Sequence, residues 1–274
     1  MQIIVQKYGG TSVASITKIK KIAQNIKKLK NKKISPVVIV SAMAGETDKL
    51  IKLISSISLL PNEREYDQII STGEKVSSSL LVMALNEINV KALSLDATKA
   101  NILTDNIHGK ASILSIGTKE IKKYLLKGFV VVIPGFQGIN SNNDITTLGR
   151  GGSDLSAVAI AAALKAERCE LLKDDVDGIY TTDPRLYKKA KKINYISYQE
   201  MLEMSSLGSK VLQSKAVEMA NQLNTKIYVK STFDNKKKGT IVMNEKKIPL
   251  REKKVVSGIT PVSYTHLRAH ETEA

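Results

Sequence analysis

The sequence is poor in the residues that build disulfides and metal centres. Its 274 residues include a single cysteine, Cys169, and three histidines. One cysteine excludes an internal disulfide framework and a multi-cysteine metal site, and we interpret Cys169 as a small buried hydrophobe. His108 lies in a turn-like stretch, and His266 and His270 lie near the end of the chain. A histidine metal centre or a Ser-His-Asp triad therefore has little support, and we predict no protein metal site.

Long hydrophobic runs are also missing. No apolar stretch approaches the roughly 20 residues that a membrane-spanning helix needs, and the first residues lack the features of a signal peptide. The composition, 42% hydrophobic and 25% charged, is typical of a soluble globular protein. We therefore expect a cytoplasmic protein of one or two domains that has no membrane partner.

Acidic residues are outnumbered by basic ones, 26 to 42, so the formal charge is +16. Such an excess raises nucleic acid as a partner, because clustered cations release phosphate counterions. Only six of the basic residues are arginines, and the sequence has no tryptophan and 4% aromatic residues for base stacking. We expect solvated lysine faces and no nucleic acid. The alternative, a basic nucleic-acid-binding protein, predicts salt-sensitive binding to DNA or RNA.

Strand-like and helical patterns alternate along the chain. The predicted strands are Gln2–Lys7, Pro36–Ser41, Lys91–Leu95, Phe129–Pro134, Glu170–Lys173 and Lys226–Lys230. The predicted helices are Ser15–Leu29, Thr47–Ser58, Glu65–Asn86, Thr118–Leu126, Ser153–Lys165, Tyr198–Met204 and Ser209–Leu223. Residues 101–117 are less regular and predict a hairpin beside the sheet. Because several strands are continuously apolar, the pattern predicts an α/β fold: a three-layer α/β/α sandwich with a mainly parallel central sheet.

Two glycine segments lie between a strand-like run and a helical one, Lys7-Tyr8-Gly9-Gly10-Thr11-Ser12 and Gly149-Arg150-Gly151-Gly152-Ser153-Asp154. In that position the loop N–H groups and the positive helix end can face an anion. Neither segment matches the GxxxxGK[ST] or GxGxxG nucleotide motif. A third segment, Asp175–Arg185, follows a predicted strand, where a parallel sheet places its ligands.

Six segments occur in the order found in one family. They are VQKYGGTSVAS (5–15), VIVSAM (38–43), STGEKVSS (71–78), GRGGSDLSA (149–157), DVDGIYTTDPR (175–185) and EMLEMSSLGSKVL (200–212). Together they resemble the aspartate kinases of the amino-acid kinase family, over residues 1 to about 245. Where that family commonly has Thr-Asp before Val-Asp-Gly, this chain has Asp174-Asp175, with an extra residue after Cys169.

The resemblance implies transfer of the γ-phosphoryl group of ATP to the side-chain carboxylate of L-aspartate. The product would be 4-phospho-L-aspartate, and the reaction would be the first step toward lysine, threonine and methionine. ATP and Mg²⁺ are the implied cofactors, and a homodimer is the implied assembly. The alternative within enzymes is another phosphotransferase of this family, acting on glutamate, a carbamate or a nucleoside monophosphate.

The resemblance also implies roles for individual residues. Lys7 would bridge the transferring phosphoryl group, and Asp154 would orient Lys7. For the substrate, Arg150 would bind the α-carboxylate and Glu74 the amino group, together with Thr47, Gly151, Gly152 and Ser153. The implied nucleotide-binding residues are Lys7, Tyr8, Gly9, Gly10, Thr11, Ser12, Ser41, Asp174, Asp175, Tyr180, Thr181, Asp183, Pro184, Arg185 and Lys210.

Two of these assignments have a purely structural alternative. Glu74 could be a solvated carboxylate at a helix start, beside Thr72 as the N-cap residue. Gly178 and Asp183-Pro184 could do no more than shape a turn.

The domain organisation follows from the extent of the resemblance. We expect a catalytic domain over residues 1–245, then a linker and the start of a truncated ACT regulatory domain over residues 246–260. Residues 261–274 are similar to a translated cloning adaptor and are interpreted as a non-native tail. A catalytically silent regulatory fragment is the alternative that this truncation leaves open.

Overall fold

A computed structural model describes residues 1–209, 211–234, 237–249 and 258–259, and the predicted tail at 261–274 lies outside them. The strands are β1 (Gln2–Tyr8), β2 (Ile34–Val40), β3 (Ala92–Ser94), β4 (Ile102–Thr104), β5 (Ile113–Ile116), β6 (Val130–Pro134), β7 (Gln137–Ile139), β8 (Ile145–Thr147), β9 (Arg168–Lys173), β10 (Ile179–Tyr180), β11 (Lys192–Ile193), β12 (Tyr195–Ser197), β13 (Ile227–Ser231) and β14 (Thr240–Met243). The helices are α1 (Ile16–Asn31), α2 (Glu46–Ile57), α3 (Glu63–Ile70), α4 (Thr72–Glu87), α5 (Lys119–Leu126), α6 (Gly152–Ala163), α7 (Tyr198–Ser206) and α8 (Ser214–Gln222), with one 3₁₀ turn at Glu245–Lys247.

The main sheet has eight strands in the order β12-β14-β13-β9-β1-β2-β6-β3. All adjacent pairs are parallel except β13 and β14, which are antiparallel. The predicted three-layer α/β/α fold with a mainly parallel sheet is confirmed. The prediction missed β12 and β14, which are short strands of three and four residues at one edge of the sheet.

Alternation along the strands divides the interior into two cores. Val37 and Ile39 of β2 belong to one cluster, which includes residues of α5, α6, α7 and α8. Val38 and Val40 belong to the other, formed with α1 and α4. Since both faces of β2 are covered, all seven of its residues are buried. The side of the sheet to which a residue points therefore decides which helices it meets.

One helix was wrongly predicted to be continuous. The segment expected to be a single helix, Glu65–Asn86, is two helices that meet at Ser71. The junction contains Ser71, Thr72 and Gly73, three successive residues of low helix propensity. In addition, the carbonyl of Ser71 accepts a hydrogen bond from the Gln137 side chain at 3.0 Å, a partner 66 residues away that no local periodicity reveals.

The helix predicted at Ser209–Leu223 also begins later, at Ser214. Its N-cap residue, Gln213, has an extended backbone and lines the cleft described below. Tertiary contact at this residue therefore overrides the helical pattern.

The hairpin predicted within residues 101–117 is confirmed, since β4 and β5 are antiparallel. It joins β7 and β8 in a second sheet, in the order β5-β4-β7-β8. Asp67 of α3, which is fully buried, connects this sheet to the helical layer. Its carboxylate lies 2.8 Å from His108 Nδ1 and accepts hydrogen bonds from the backbone N–H groups of Gly109 and Thr147 and from the Thr147 hydroxyl. The end of β8, just before the second glycine segment, is therefore held in place.

Within the part of the chain that the structure describes, no helix has the length and apolar character needed to cross a membrane.

Candidate active site

A cleft of about 410 Å³ lies at the carboxyl edge of β1, β2 and β9, where the N-terminal ends of α2, α4 and α6 meet it. Parallel sheets place ligands at this edge, and helix N-termini favour anions there. The lining residues are Lys7, Gly10, Ser41, Ala42, Met43, Ala44, Gly45, Thr47, Asp48, Glu74, Phe136, Gly149, Arg150, Gly151, Gly152, Ser153, Asp154, Lys173 and Gln213. Ten of the predicted site residues are among them: Lys7, Gly10, Ser41, Thr47, Glu74, Arg150, Gly151, Gly152, Ser153 and Asp154.

Lys7 reaches the cleft because of its position on β1. Val5, two residues earlier, packs in the core beside α6, so period-two alternation directs Lys7 to the same face. There it meets Asp154 in the first turn of α6, with 2.7 Å between Lys7 Nζ and Asp154 Oδ1. Lys7 is 6% exposed and Asp154 is 3% exposed, so the pair is shielded from solvent.

Lys173 is a site residue that sequence reasoning missed. It is the last residue of β9, and Leu171, two positions earlier, lies in the same core as Val5. Lys173 Nζ lies 3.1 Å from Asp154 Oδ2. A lysine at the carboxyl end of a buried strand is the signal that could have found it.

Two lysines therefore share one carboxylate. Burial would raise the pKa of Asp154, but the charges of Lys7 and Lys173 outweigh burial and lower it to about 2. Burial lowers the pKa of Lys7 from its ordinary value, while the Asp154 carboxylate opposes that shift. Asp154 is consequently an anion at neutral pH, suited to holding lysines and not to accepting a proton.

The glycines of the two segments allow close approach of the backbone. A Cβ at Gly10 would lie 2.9 Å from the carbonyl oxygen of Ala42, so a side chain would separate the β1 loop from the β2 loop. Gly151 has a φ of +77°, and a Cβ there would lie 2.4 Å from the Gln213 side chain. Gly151 is also the N-cap residue of α6, so its backbone sets where Ser153 and Asp154 begin.

Glu74, in the first turn of α4, is 4% exposed. Burial raises its pKa to about 7, although the backbone N–H of Ala42 donates a hydrogen bond to it and Lys7 favours the ionised form. Its Oε2 has no hydrogen-bond partner among the described residues. The alternative of a solvated carboxylate beside an N-cap Thr72 is therefore wrong, since Glu74 is buried and the N-cap residue of α4 is Ser71.

Arg150 is exposed and lies in the loop that joins the second sheet to α6. Ser153 follows it in the first turn of α6, and Thr47 lies in the first turn of α2. These three side chains and Glu74 line the same cleft as Lys7 and Asp154. An arginine and a carboxylate therefore flank the buried Lys7–Asp154 pair.

Other predicted nucleotide residues point to the opposite side of the sheet. Tyr8 is buried in the core with α1. Asp174 pairs there with Lys18, at 2.5 Å between Nζ and Oδ2. The Ser12 hydroxyl is 2.7 Å from that of Thr232. Strand alternation explains this separation for Tyr8, the neighbour of Lys7, and for Asp174, the neighbour of Lys173. Gly9 and the exposed Thr11 continue the loop between β1 and α1.

The remaining predicted nucleotide residues lie after β9, outside the residues that line the cleft. The Tyr180 hydroxyl donates to Asp177 at 2.8 Å, and Arg185 pairs with Asp183 at 2.7 Å. Thr181 bonds through its backbone and hydroxyl to Lys191. Asp175 and Pro184 are exposed, and Lys210 lies outside the described residues.

Residues 2–231 match the amino acid kinase family. The chain belongs to the amino acid kinase family. It is 50% identical to an aspartokinase of Helicobacter pylori over 259 aligned residues. The aligned region covers 94% of this chain and 64% of that protein. The chain thus spans less than two thirds of the length of this curated relative.

Solved structures of family members agree with this fold. Aspartate kinase from Synechocystis is 46% identical, with a TM-score of 0.77, over 88% of this chain and 40% of that one. Aspartokinase III of E. coli, solved in complex with aspartate and ADP, is 29% identical with a TM-score of 0.78, over 89% of this chain and 65% of that one.

No group of three or more His, Cys, Asp or Glu side chains in the described residues is arranged to hold a metal ion. Asp154, the most buried carboxylate of the cleft, already has a lysine on each oxygen. The donor set therefore fits a metal ion held by phosphate oxygens and water, which Mg²⁺ prefers.

The lowered pKa of Asp154 has a consequence for stability at acid pH. A carboxyl whose pKa falls from 3.8 to about 2 on folding stabilises the protein above about pH 4, and this contribution is lost as the pH falls through about 2. For Asp154→Asn, the difference from wild type in free energy of unfolding should therefore shrink by on the order of 2 kcal/mol between pH 5 and pH 2. Denaturant titrations at stepped pH measure it.

The matched control is Glu120→Gln, which removes the charge of a carboxylate in an exposed ion pair with Lys123. This variant should differ from wild type by less than about 0.5 kcal/mol throughout the range. A difference for Asp154→Asn that stays constant with pH would contradict the ion pairing described here.

Proposed function

We propose that the protein is an ATP-dependent phosphotransferase that phosphorylates the side-chain carboxylate of L-aspartate, giving 4-phospho-L-aspartate. The observation that carries this proposal is the buried Lys7–Asp154 pair with the partly buried Lys173 beside it, at the edge of the sheet and flanked by Arg150 and Glu74. The relatives named aspartokinase, and the E. coli structure with bound aspartate and ADP, support the same substrates.

The chemistry requires two anions to approach each other. An oxygen of the aspartate side chain forms a bond to the γ-phosphorus of ATP, and the bond from that phosphorus to the β–γ bridging oxygen breaks, leaving ADP with the electron pair. The attacking carboxylate has an ordinary pKa near ~3.9 and is already ionised at neutral pH, so no general base is needed. The main task of the protein is to offset negative charge and to align the reactants.

Lys7 is placed for that task. It is buried, and its ammonium group is fixed by Asp154 at 2.7 Å, so little reorganisation is needed when the phosphoryl group arrives. The N-terminal ends of α2 and α6 and the close-packed backbone at Gly10 offer further positive potential to the same anion. Asp154 remains ionised and orients Lys7.

The substrate groups match two cleft residues of opposite charge. The guanidinium of Arg150 can bind the α-carboxylate through two parallel hydrogen bonds, with Ser153 and Thr47 alongside. Glu74 has a buried oxygen without a hydrogen-bond partner among the described residues, and an α-ammonium group would satisfy it. A substrate that carries both groups, an α-amino acid, fits this arrangement best.

ATP would carry Mg²⁺ on its phosphate oxygens, where the ion offsets charge on the transferring group. The other end of the nucleotide would contact the segment after β9, which includes Tyr180 of β10 and, beyond it, Asp183 and Arg185. In the structure Tyr180 bonds to Asp177, and Arg185 bonds to Asp183. Nucleotide binding at these side chains would therefore exchange internal partners for ligand atoms.

Trapping the acyl phosphate with hydroxylamine tests the reaction directly. Offered separately with Mg-ATP, aspartate should yield a hydroxamate, whereas glutamate and carbamate should not. Lys7→Met should reduce the rate with aspartate at least about 100-fold, because it removes charge stabilisation of the transferring group. Its circular dichroism spectrum should match that of the wild type. The assignment would be rejected if glutamate or carbamate gave a hydroxamate and aspartate did not. It would also be rejected if none of the three acceptors gave one.

The ionisation of Glu74 predicts a pH-dependent affinity for aspartate. With a pKa of about 7 in the free protein, Glu74 gains its charge as the pH rises through that value and then attracts the α-ammonium. The KM for aspartate should therefore fall about tenfold between pH 6 and pH 8, measured from initial rates at saturating Mg-ATP.

Glu74→Gln should raise KM at pH 8 and remove this dependence. The control is Glu46→Gln, which alters an exposed carboxylate near the start of α2 that pairs with Lys49. It should keep the wild-type profile. If Glu74→Gln kept that profile too, Glu74 would not be the group that binds the ammonium.

A further inference from the structure

Lys173 is a positively charged residue that lines the cleft and has no role in the mechanism described above. Its side chain is 19% exposed, and its Nζ contacts Asp154 Oδ2 at 3.1 Å, while Lys7 occupies Oδ1 at 2.7 Å. The register of the sheet explains this. Lys7 of β1 is paired with Leu171 of β9, so Lys173 lies two residues further along the adjacent strand, on the same face.

This arrangement has one cation more than its carboxylate can balance. Asp154 carries a single negative charge, and Lys173 acts against the charge of Lys7, whose pKa it lowers. Holding a second, like-charged ammonium in a partly buried place is unfavourable without a further anion. Glu74 is the other buried carboxylate that lines the cleft, and burial raises its pKa to about 7. The pair of lysines is therefore one anion short.

We propose that Lys173 is a second phosphoryl-binding residue, which contacts non-bridging oxygens of the transferring group from the side opposite Lys7. The assignment rests on the proposed phosphoryl transfer. The two ammonium groups already contact different oxygens of one carboxylate, Lys7 at Oδ1 and Lys173 at Oδ2 of Asp154, so they are close enough to contact different oxygens of one phosphate. In the free protein Asp154 holds both ammonium groups in place, and the phosphoryl group supplies the missing negative charge.

A simpler role for Lys173 would be to neutralise Asp154 alone. The two roles differ in what they predict for nucleotide affinity. A lysine that contacts the transferring phosphoryl group favours ATP over ADP, because ADP lacks that group. If Lys173 only neutralises Asp154, its replacement should change the affinities for ATP and ADP by the same factor or leave both unchanged.

The test compares Lys173→Met and Lys173→Arg with wild type in the full chain, by calorimetric titration with Mg-ATP and with Mg-ADP. Loss of a charge-assisted hydrogen bond should weaken Mg-ATP binding roughly 10- to 100-fold in Lys173→Met, with less than about a threefold change for Mg-ADP. The hydroxamate rate constant at saturating substrates should fall as well. Lys173→Arg keeps the charge and should recover most of the preference for ATP.

The matched control is Lys123→Met, which removes a lysine paired with Glu120 on the exposed face of α5. It should leave both affinities and the rate unchanged. Thermal unfolding of every variant identifies a loss of fold, and Lys173→Arg tests the assignment if Lys173→Met unfolds.

The outcomes separate this assignment from the proposed function. An unchanged ratio of ATP to ADP affinity in Lys173→Met, with aspartate phosphorylation in wild type, would overturn the role of Lys173 and leave the function standing. Conversely, a wild type that binds Mg-ATP but phosphorylates none of the acceptors would reject the function, while the affinity ratio would still decide the role of Lys173. A wild type that binds neither nucleotide would overturn both.

Discussion

The structure of the site depends on one electrostatic group, the buried carboxylate of Asp154 held between the ammonium groups of the buried Lys7 and the partly buried Lys173. A buried charge is costly unless it is paired, so each member of this group fixes the position of the others. Because β1 and β9 are adjacent and parallel, two lysines at their carboxyl ends project to the same face. The first turn of α6, packed on that face, supplies the carboxylate between them.

The surrounding fold keeps this group in place and open to a ligand. Continuous apolar strands let helices cover both faces of the sheet, and period-two alternation then separates neighbours: Lys7 enters the cleft while Tyr8 enters the opposite core. Gly10 and Gly151 bring backbone close to the cleft where a side chain would collide. Asp67 connects α3 with the His108 turn and with β8. Strand β8 leads directly into the glycine segment that contains Arg150. Rigid elements thus present charged groups at one edge of a single sheet.

The fold class was predictable because its signals are local: buried runs of strand length alternate with amphipathic helices. Ten of the predicted site residues line one cleft. Seven of them belong to the two glycine segments, which lie where strands end. Contacts between distant residues were not predictable. The break at Ser71 coincides with a hydrogen bond from Gln137, and the position of Lys173 beside Lys7 follows from the register between β9 and β1. Asp174, the residue directly after β9, likewise lies on the α1 side because it continues the alternation of that strand. This position becomes clear only once the faces of the sheet are known.

A crystal structure of the full chain with ADP, aluminium fluoride and aspartate would test the central claim most directly, because the fluoride complex mimics the transferring phosphoryl group between donor and acceptor. The account predicts the aluminium fluoride in line between ADP and the aspartate side chain, with Lys7 Nζ within hydrogen-bonding distance, about 3 Å, of a fluorine and Asp154 still contacting Lys7. Arg150 should contact the α-carboxylate. A complex in which the fluoride group lies away from Lys7, with the Lys7–Asp154 pair facing no ligand, would contradict the account.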